Sequence, residues 1–290
     1  MTSGVDPETA AEEPLGPETV IAPSPAWALP SLLEVWTARG VLYFLVWRDL
    51  KVRYRQTILG VAWVVLQPLT TVVALTLVFG RLLRVPTDGV PYVLFAFAGL
   101  LPWNLFSGTV TRAAASLVGN AQLVGKVYFP RLILPTASGL ILLVDFAVAF
   151  LPWPVLLLAY GVSPGAGLLL LPLFVAWALL AALAVGLWLA ALNARYRDVT
   201  HLLPLALQVW MYATPVIYSS SLLPARWRPL LALNPMVAVV DGFRWAALGL
   251  GPERAPSLEA VGLSLAVTAA TLLGGLVFFR AAERTLADVV

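Results

Sequence analysis

Cysteine is absent from the 290 residues, histidine occurs once, at His201, and only 11% of the chain is charged. The first absence excludes disulfides, thiol nucleophiles and cysteine-based zinc sites. With one imidazole there is no His cluster, and His201, beside the "RYRD" run at 195–198, reads as an interfacial polar residue rather than a ligand. No acid pair lies near either prospective surface, which disfavours a membrane-bound transferase. A phosphate loop is missing too. The only Gly-Lys pair, Gly125-Lys126, has Asn120 where G-x-x-x-x-G-K-[ST] needs glycine and Val127 where it needs a hydroxyl. Globular chains carry charge at roughly 25% of positions. Less than half of that, with 60% hydrophobic residues and a mean hydropathy of +0.89, defines an integral membrane protein.

What charge there is falls unevenly. Residues 1–30 hold five acids, six prolines and no base, too little apolar material to order a core, and read as a disordered acidic tail. Without a basic n-region and an apolar h-region the tail is not a signal peptide, so the first spanning helix is expected to direct insertion. The remainder carries 18 bases against 10 acids. Its runs of about 18–20 residues or more that are uncharged, or between Leu132 and Ala194 carry Asp145 as the one charge, are enough to cross a hydrocarbon core of ~30 Å and predict an all-α fold of six spans. These cover about 56–80, 91–111, 132–159, 168–193, 202–220 and 260–279. The third and fourth form a hairpin broken at "GVSPGAG", 161–167. Placing both termini inside puts twelve of the 18 bases on the inner flanks, which agrees with the positive-inside rule.

Residues 31–55 are read as an amphipathic interface helix with a basic flank. Ser31 and Glu34 have capping-box spacing. Trp36 and Trp47 suit the headgroup boundary, and Arg48, Lys51, Arg53 and Arg55 face anionic lipid. Between spans two and three, residues 116–135 predict a short amphipathic helix. Its Lys126 and Arg131 lie on the inner side, and exposed Leu123, Val124, Val127, Tyr128 and Phe129 call for a partner. On the outer side, within 221–251, Asn234 is placed as an N-cap with Pro235 at the first helical position, Gly249 or Gly251 as the stop, and Asp241 and Arg244 as an i,i+3 pair. A helix that enters and leaves by one face must rest on protein.

Candidate chemistry is confined to a few polar side chains inside apolar spans. Gln56, Trp63, Gln67 and Thr70 recur at helical spacing on span one, as do Gln208, Tyr212 and Ser219 on span five. Lipid would not favour two glutamines, so these edges face protein or water. Rings and amides of this kind either pack helices or stack on sugars and bind their hydroxyls. Asp145, near the middle of span three, is either a proton-coupling acid or interhelical hydrogen-bond glue, with no second acid or base expected at its depth.

The stretches "RDLKVRYRQTILGVAWVVLQPL" (48–69), "LVFGRLLRVPTDGVPYVLFAFAGLLPWNLF" (77–106), "LVGKVYFPRLILP" (123–135), "LNARYRDV" (192–199), "ATPVIY" (213–218) and "LNPM" (233–236) together resemble the ABC-2 type permeases that export O-antigen, capsule or teichoic-acid polysaccharides. The likeness covers about 32–280. It implies a homodimer in the inner (plasma) membrane, paired with two copies of a separate nucleotide-binding subunit that carries ATP and magnesium, and a lipid-linked glycan as cargo. No cofactor in this chain and no nucleic-acid partner are expected. By the same likeness 31–47 is the interface helix, 118–131 the coupling helix that docks on the ATPase, and 221–251 the re-entrant segment at the outer mouth. Spans one and five, within or across the dimer, would line the conduit. The alternatives are an ABC-2 permease for a lipid or drug and a proton-coupled carrier using Asp145.

Overall fold

The computed structural model describes residues 32–55, 60–127 and 129–289. The acidic tail, Ser31, Gln56 and Tyr128, named above, lie outside them. Regular structure among the described residues is helical throughout. In chain order it runs α1 (Leu32–Thr37), α2 (Arg39–Arg55), α3 (Ala62–Leu75, continued by π-helical Thr76–Leu82), α4 (Tyr92–Gly119), α5 (Ala121–Lys126), α6 (Ile133–Phe150), α7 (Trp153–Ala159), α8 (Leu171–Arg195), α9 (Val199–Ala213), α10 (Arg228–Ala232), α11 (Pro235–Leu248) and α12 (Leu258–Val289).

The aromatic stretch and the basic cluster near the start belong to one helix. After Gly40 nothing in α2 breaks it, so the expected basic flank continues the helix to Arg55. Tyr43 and Trp47, one turn apart, stack at 6.5 Å on its exposed side, while Leu45 is buried on the other. Arg39 lies 5.3 Å over the exposed Trp36 ring.

Five helices among the described residues are long and apolar enough to cross a membrane: Ala62–Leu82, Tyr92–Gly119, Ile133–Ala159, Ala166–Arg195 and Leu258–Glu283. Residues 199–219 run from the Ala114 end of α4, through Thr200 and Asn193, to its Phe95 end, through Pro215 and Arg244, but the expectation that 202–220 is helical throughout is corrected. The helix there, α9, has 15 residues, about 22 Å against a hydrocarbon core of ~30 Å. It stops at Ala213 because the pyrrolidine ring of Pro215 forces the preceding residue, Thr214, into extended geometry (φ −104°, ψ 138°). Residues 214–219 leave the helical path and turn towards α4 and α11.

α4 is the spine, packing on α8, α6, α11, α3 and α9. Between apolar helices in lipid, association rests on close packing and hydrogen bonds, and both are visible. A Cβ at Gly186 of α8 would stand 2.7 Å from that of Ala113 on α4, so the two backbones touch. Asn193 of α8 donates to Ala114 O at 2.9 Å. α8 and α12 are joined by Trp177 Nε1 to Thr268 Oγ1 (3.0 Å) and Trp188 Nε1 to Thr271 O (2.9 Å).

A main core built on α4, α8 and α11 is supplemented by a smaller one at the α5 end, where Leu45, Leu117, Ile133, Leu187 and Phe279 meet. Phe129 is buried in that second core, and Leu123 and Val124 pack against it. The expectation of an exposed apolar face over 123–129 is therefore corrected: the segment is anchored from within, and Val127 is left exposed.

Candidate functional site: a polar cavity beside α3 and a buried arginine in α11

Trp63 and Gln67 lie one turn apart on α3 and are exposed. They open onto a cavity of about 450 Å³ that is also lined by Asn104 and Ser107 of α4, Asp145 of α6 and Tyr54 of α2. Thr70 continues the same edge but turns its hydroxyl back to Gln67 O at 2.9 Å, so its donor is occupied within its own helix. An indole face beside two amides and a hydroxyl is a chemistry that can stack on a sugar ring and bind its hydroxyls. Asn104 and Ser107 were not singled out in the sequence, although their signal was present as polar residues inside an uncharged span.

The cavity floor corrects the expectation that Asp145 has no base at its depth. Arg53, at the end of α2, reaches it with Nη1 2.6 Å from Oδ2, and the Tyr54 hydroxyl donates to Oδ1. Burial, reinforced by the bond to Asp145, pushes the Tyr54 phenol up to about 12, so it stays protonated and keeps donating. The carboxylate is 8% exposed and Arg53 34%: the acid is fixed inside while its partner reaches towards water. Reading the chain by spans hides this pairing, because Arg53 lies ahead of the apolar run and only the packing of α2 on α6 brings it to Asp145.

The second stripe lies elsewhere. Gln208 and Tyr212 are exposed on α9, which packs on α4 and α8, whereas α3 packs on α4 and α6. Within one chain the two stripes therefore sit on different sides of the bundle. Ser219 departs from its stripe: it is buried past the end of α9 and donates to the Asp88 carboxylate, which also accepts from Ser221 at 3.0 Å. Arg254 donates to Asp88 O, so three loops are tied together at the end of the molecule away from α5.

The segment over 235–249 follows its sequence signals. Asn234 Oδ1 accepts from Met236 N at 3.1 Å, Pro235 opens α11, and Gly249, at φ +62°, closes it in the left-handed region. Arg244 is 4% exposed. It donates Nη1 to Asp241 (3.3 Å), Nε to Phe95 O (3.3 Å) and Nη2 to Pro215 O and Val216 O (both 3.0 Å). Its guanidinium also sits 3.6 Å over the Phe95 ring. The last-turn carbonyls of α9 accept from Thr214 and Tyr218, and Arg244 satisfies those of Pro215 and Val216 just beyond it, so the broken backbone rests on protein.

At the α5 end, Arg48 pairs with Asp49 at 2.8 Å and donates to Asn120 Oδ1 at 3.0 Å, linking α2 to the hinge before α5. Lys51, Arg55 and Lys126 are exposed, Trp47 likewise, and Arg131 donates to Glu283 O on α12.

The profile of the ABC-2 type transporter family matches residues 41–248. An O-antigen export system permease protein RfbA of Myxococcus xanthus is 36% identical over 213 residues, covering 73% of this chain and 81% of that protein. One from Klebsiella pneumoniae is 28% identical over 198 residues, 68% of this chain and 76% of the relative. The polysialic acid transport protein KpsM of Escherichia coli is 23% identical over 246 residues, 82% and 92%. The match takes in α3, the whole spine α4, the α5 hinge and all of α11, and the chain belongs to the ABC-2 type transporter family.

Proposed function

We propose that this chain is the membrane subunit of an ATP-driven exporter that carries a lipid-linked polysaccharide, of the O-antigen class, from the cytoplasm across the inner (plasma) membrane. The observation that carries the reading is a polar, aromatic-walled cavity beside α3, at Trp63, Gln67, Asn104 and Ser107, in a chain 36% identical to an O-antigen permease. Two copies form the conduit, with the exposed edges of α3 and α9 brought together across the dimer. Two copies of a separate nucleotide-binding subunit dock at the α5 end and supply the stroke, and both termini face the cytoplasm. Asp145, held by Arg53 and Tyr54, acts as interhelical glue, which argues against the proton-coupled alternative. The test is deletion of the chain in its host. Lipid-linked polymer should accumulate inside and surface polysaccharide disappear, both restored by the wild-type chain; unchanged surface polymer overturns the reading.

A further inference from the structure

Three arginines and two aspartates gather where α2, α4 and α6 meet near α5. Arg48 is paired with Asp49 at 2.8 Å and Arg53 with Asp145 at 2.6 Å. The fifth member, Arg112 on α4, is half-buried and lies within electrostatic reach of Arg53, Asp145, Asp49 and Tyr54. Among the described residues, however, no carboxylate forms an ion pair with it. Two cations are neutralised and one is left over. It faces a cavity of about 180 Å³ whose other walls include Leu45, Leu134, Ala137, Ser116 and Ser138.

The level of this charge in the membrane follows from the length of its helix. α4 has 28 residues, about 42 Å, so it overshoots a hydrocarbon core of ~30 Å by about 12 Å. Arg112 lies seven residues before Gly119, about 10 Å from that end, at the boundary between acyl chains and headgroups. A cation there without a counter-ion is costly and calls for an anion. The cavity is otherwise poor in free donors. Ser116 Oγ donates to Ala113 O (2.7 Å) and Ser138 Oγ to Leu134 O (3.2 Å), while the Asp49 carboxylate that also faces it is held by Arg48. The guanidinium is the available fork, and phosphate oxygens match a fork in two bonds. An apolar wall beside the fork suits a glycerol or prenyl stem better than a free ion.

We propose that this cavity binds the phosphate of a membrane lipid, with Arg112 as the residue that grips it. Two sources share that chemistry, a phospholipid headgroup and the diphosphate of a prenyl-linked carrier. The test uses the purified full-length chain in neutral detergent, its melting temperature read while phosphatidylglycerol, undecaprenyl diphosphate or, as a neutral control, diacylglycerol is titrated. Ligands that bind only the folded state raise it in proportion to occupancy. For the wild type, at least one phosphate lipid should give a saturable rise of several degrees and diacylglycerol none. Arg112→Gln should melt at or above the wild-type temperature without lipid and lose most of the rise. A rise with phosphatidylglycerol assigns the site to a structural lipid, and one with the diphosphate alone assigns it to the carrier. No rise in the wild type, or an undiminished rise in Arg112→Gln, overturns the proposal. If Arg112→Gln does not fold, Arg112→Lys keeps the charge but gives up the fork, and its apparent affinity should fall severalfold; unchanged affinity overturns the proposal equally. No step of the test depends on export.

Discussion

Arg244→Met is the sharpest perturbation of this fold, because one side chain joins four separate groups. Its loss leaves Asp241, whose side chain is 19% exposed, without its cation, and Phe95 O, Pro215 O and Val216 O without a donor. Breaking a buried ion pair from one side costs about 3–5 kcal/mol, and an orphaned buried carbonyl about 1–3 kcal/mol. These do not add, since Asp241 and Arg244 line a cavity of about 450 Å³ through which water can reach some of the freed groups. About 3–5 kcal/mol in all is expected, a fall in melting temperature of roughly 6 °C or more for a chain of this size. The assay is thermal unfolding of the purified chain in detergent, followed by helical circular dichroism. The double variant Arg244→Met with Asp241→Asn removes the stranded charge and should regain at least ~1 kcal/mol over Arg244→Met alone. Gly99→Ala should mimic the lesion, because its Cβ would stand 2.6 Å from Arg244 Nη2 and 2.7 Å from Val216 O. An Arg244→Met protein that melts within about 2 °C of wild type would refute the claim that this cation holds the end of α9.

Further expectations concern the cavity beside α3 and the packing of α11. Arg53→Ala should destabilise more than Asp145→Asn in the same melting assay, because the first strands an 8%-exposed carboxylate whereas the second leaves a 34%-exposed guanidinium free to turn to water; the reverse order would show that the acid is not the trapped partner. Export should survive Asp145→Asn at near wild-type level, measured as surface polymer, and abolition would revive the proton-coupled alternative. Trp63→Ala and Gln67→Ala should lower export while leaving insertion and melting temperature close to wild type, both being exposed in the single chain; unchanged export from both would remove α3 from the conduit. Gly242→Ala would place a Cβ 2.1 Å from the Phe174 ring and should cost about 1–3 kcal/mol by overpacking, a loss that Phe174→Leu in the same chain should partly relieve.

Where the sequence spoke through local chemistry, it was legible. Asn234, Pro235 and Gly249 place both ends of α11 because capping, proline geometry and left-handed backbone are properties of a residue and its neighbours. The five long spans follow from apolar length, which one charge, Asp145, does not interrupt. What could not be read depends on partners distant in the chain. The base beside Asp145 is not legible because Arg53 comes 92 positions earlier, ahead of the apolar run, and only the packing of α2 on α6 brings them together. The apolar neighbours of Phe129 suggest a docking face, whereas a second core that draws on α2, α6, α8 and α12 covers it. The length of helix over 202–220 is less legible for a local reason, since hydropathy continues past Ala213 while the helix cannot continue past Thr214-Pro215.

The distribution of burial separates a rigid part of the molecule from arms that lack cover. In the most apolar stretch of α4, 78% of residues are buried, against 11% in that of α3. α4 is also the helix that Arg244 grips near its start, at Phe95, and that Asn193 and, through Asn120, Arg48 grip near its end. α3 and α9 hold to the bundle by one side each and present Trp63, Gln67, Gln208 and Tyr212 outward. A helix covered on all sides cannot change its neighbours without breaking a close-packed core, whereas one with a free edge can. Force delivered at the α5 hinge would reach α2 through the Arg48–Asn120 bond, and α6 through Arg53 and Asp145. It would pass into the wall of the α3 cavity before it could disturb the spine. Motion in this chain is therefore expected at the α3 edge, with α4, α8 and α11 moving as one body. Hydrogen exchange should show it, with amides of Ala62–Leu82 exchanging faster than those of Tyr92–Gly119; equal protection of the two would remove the distinction.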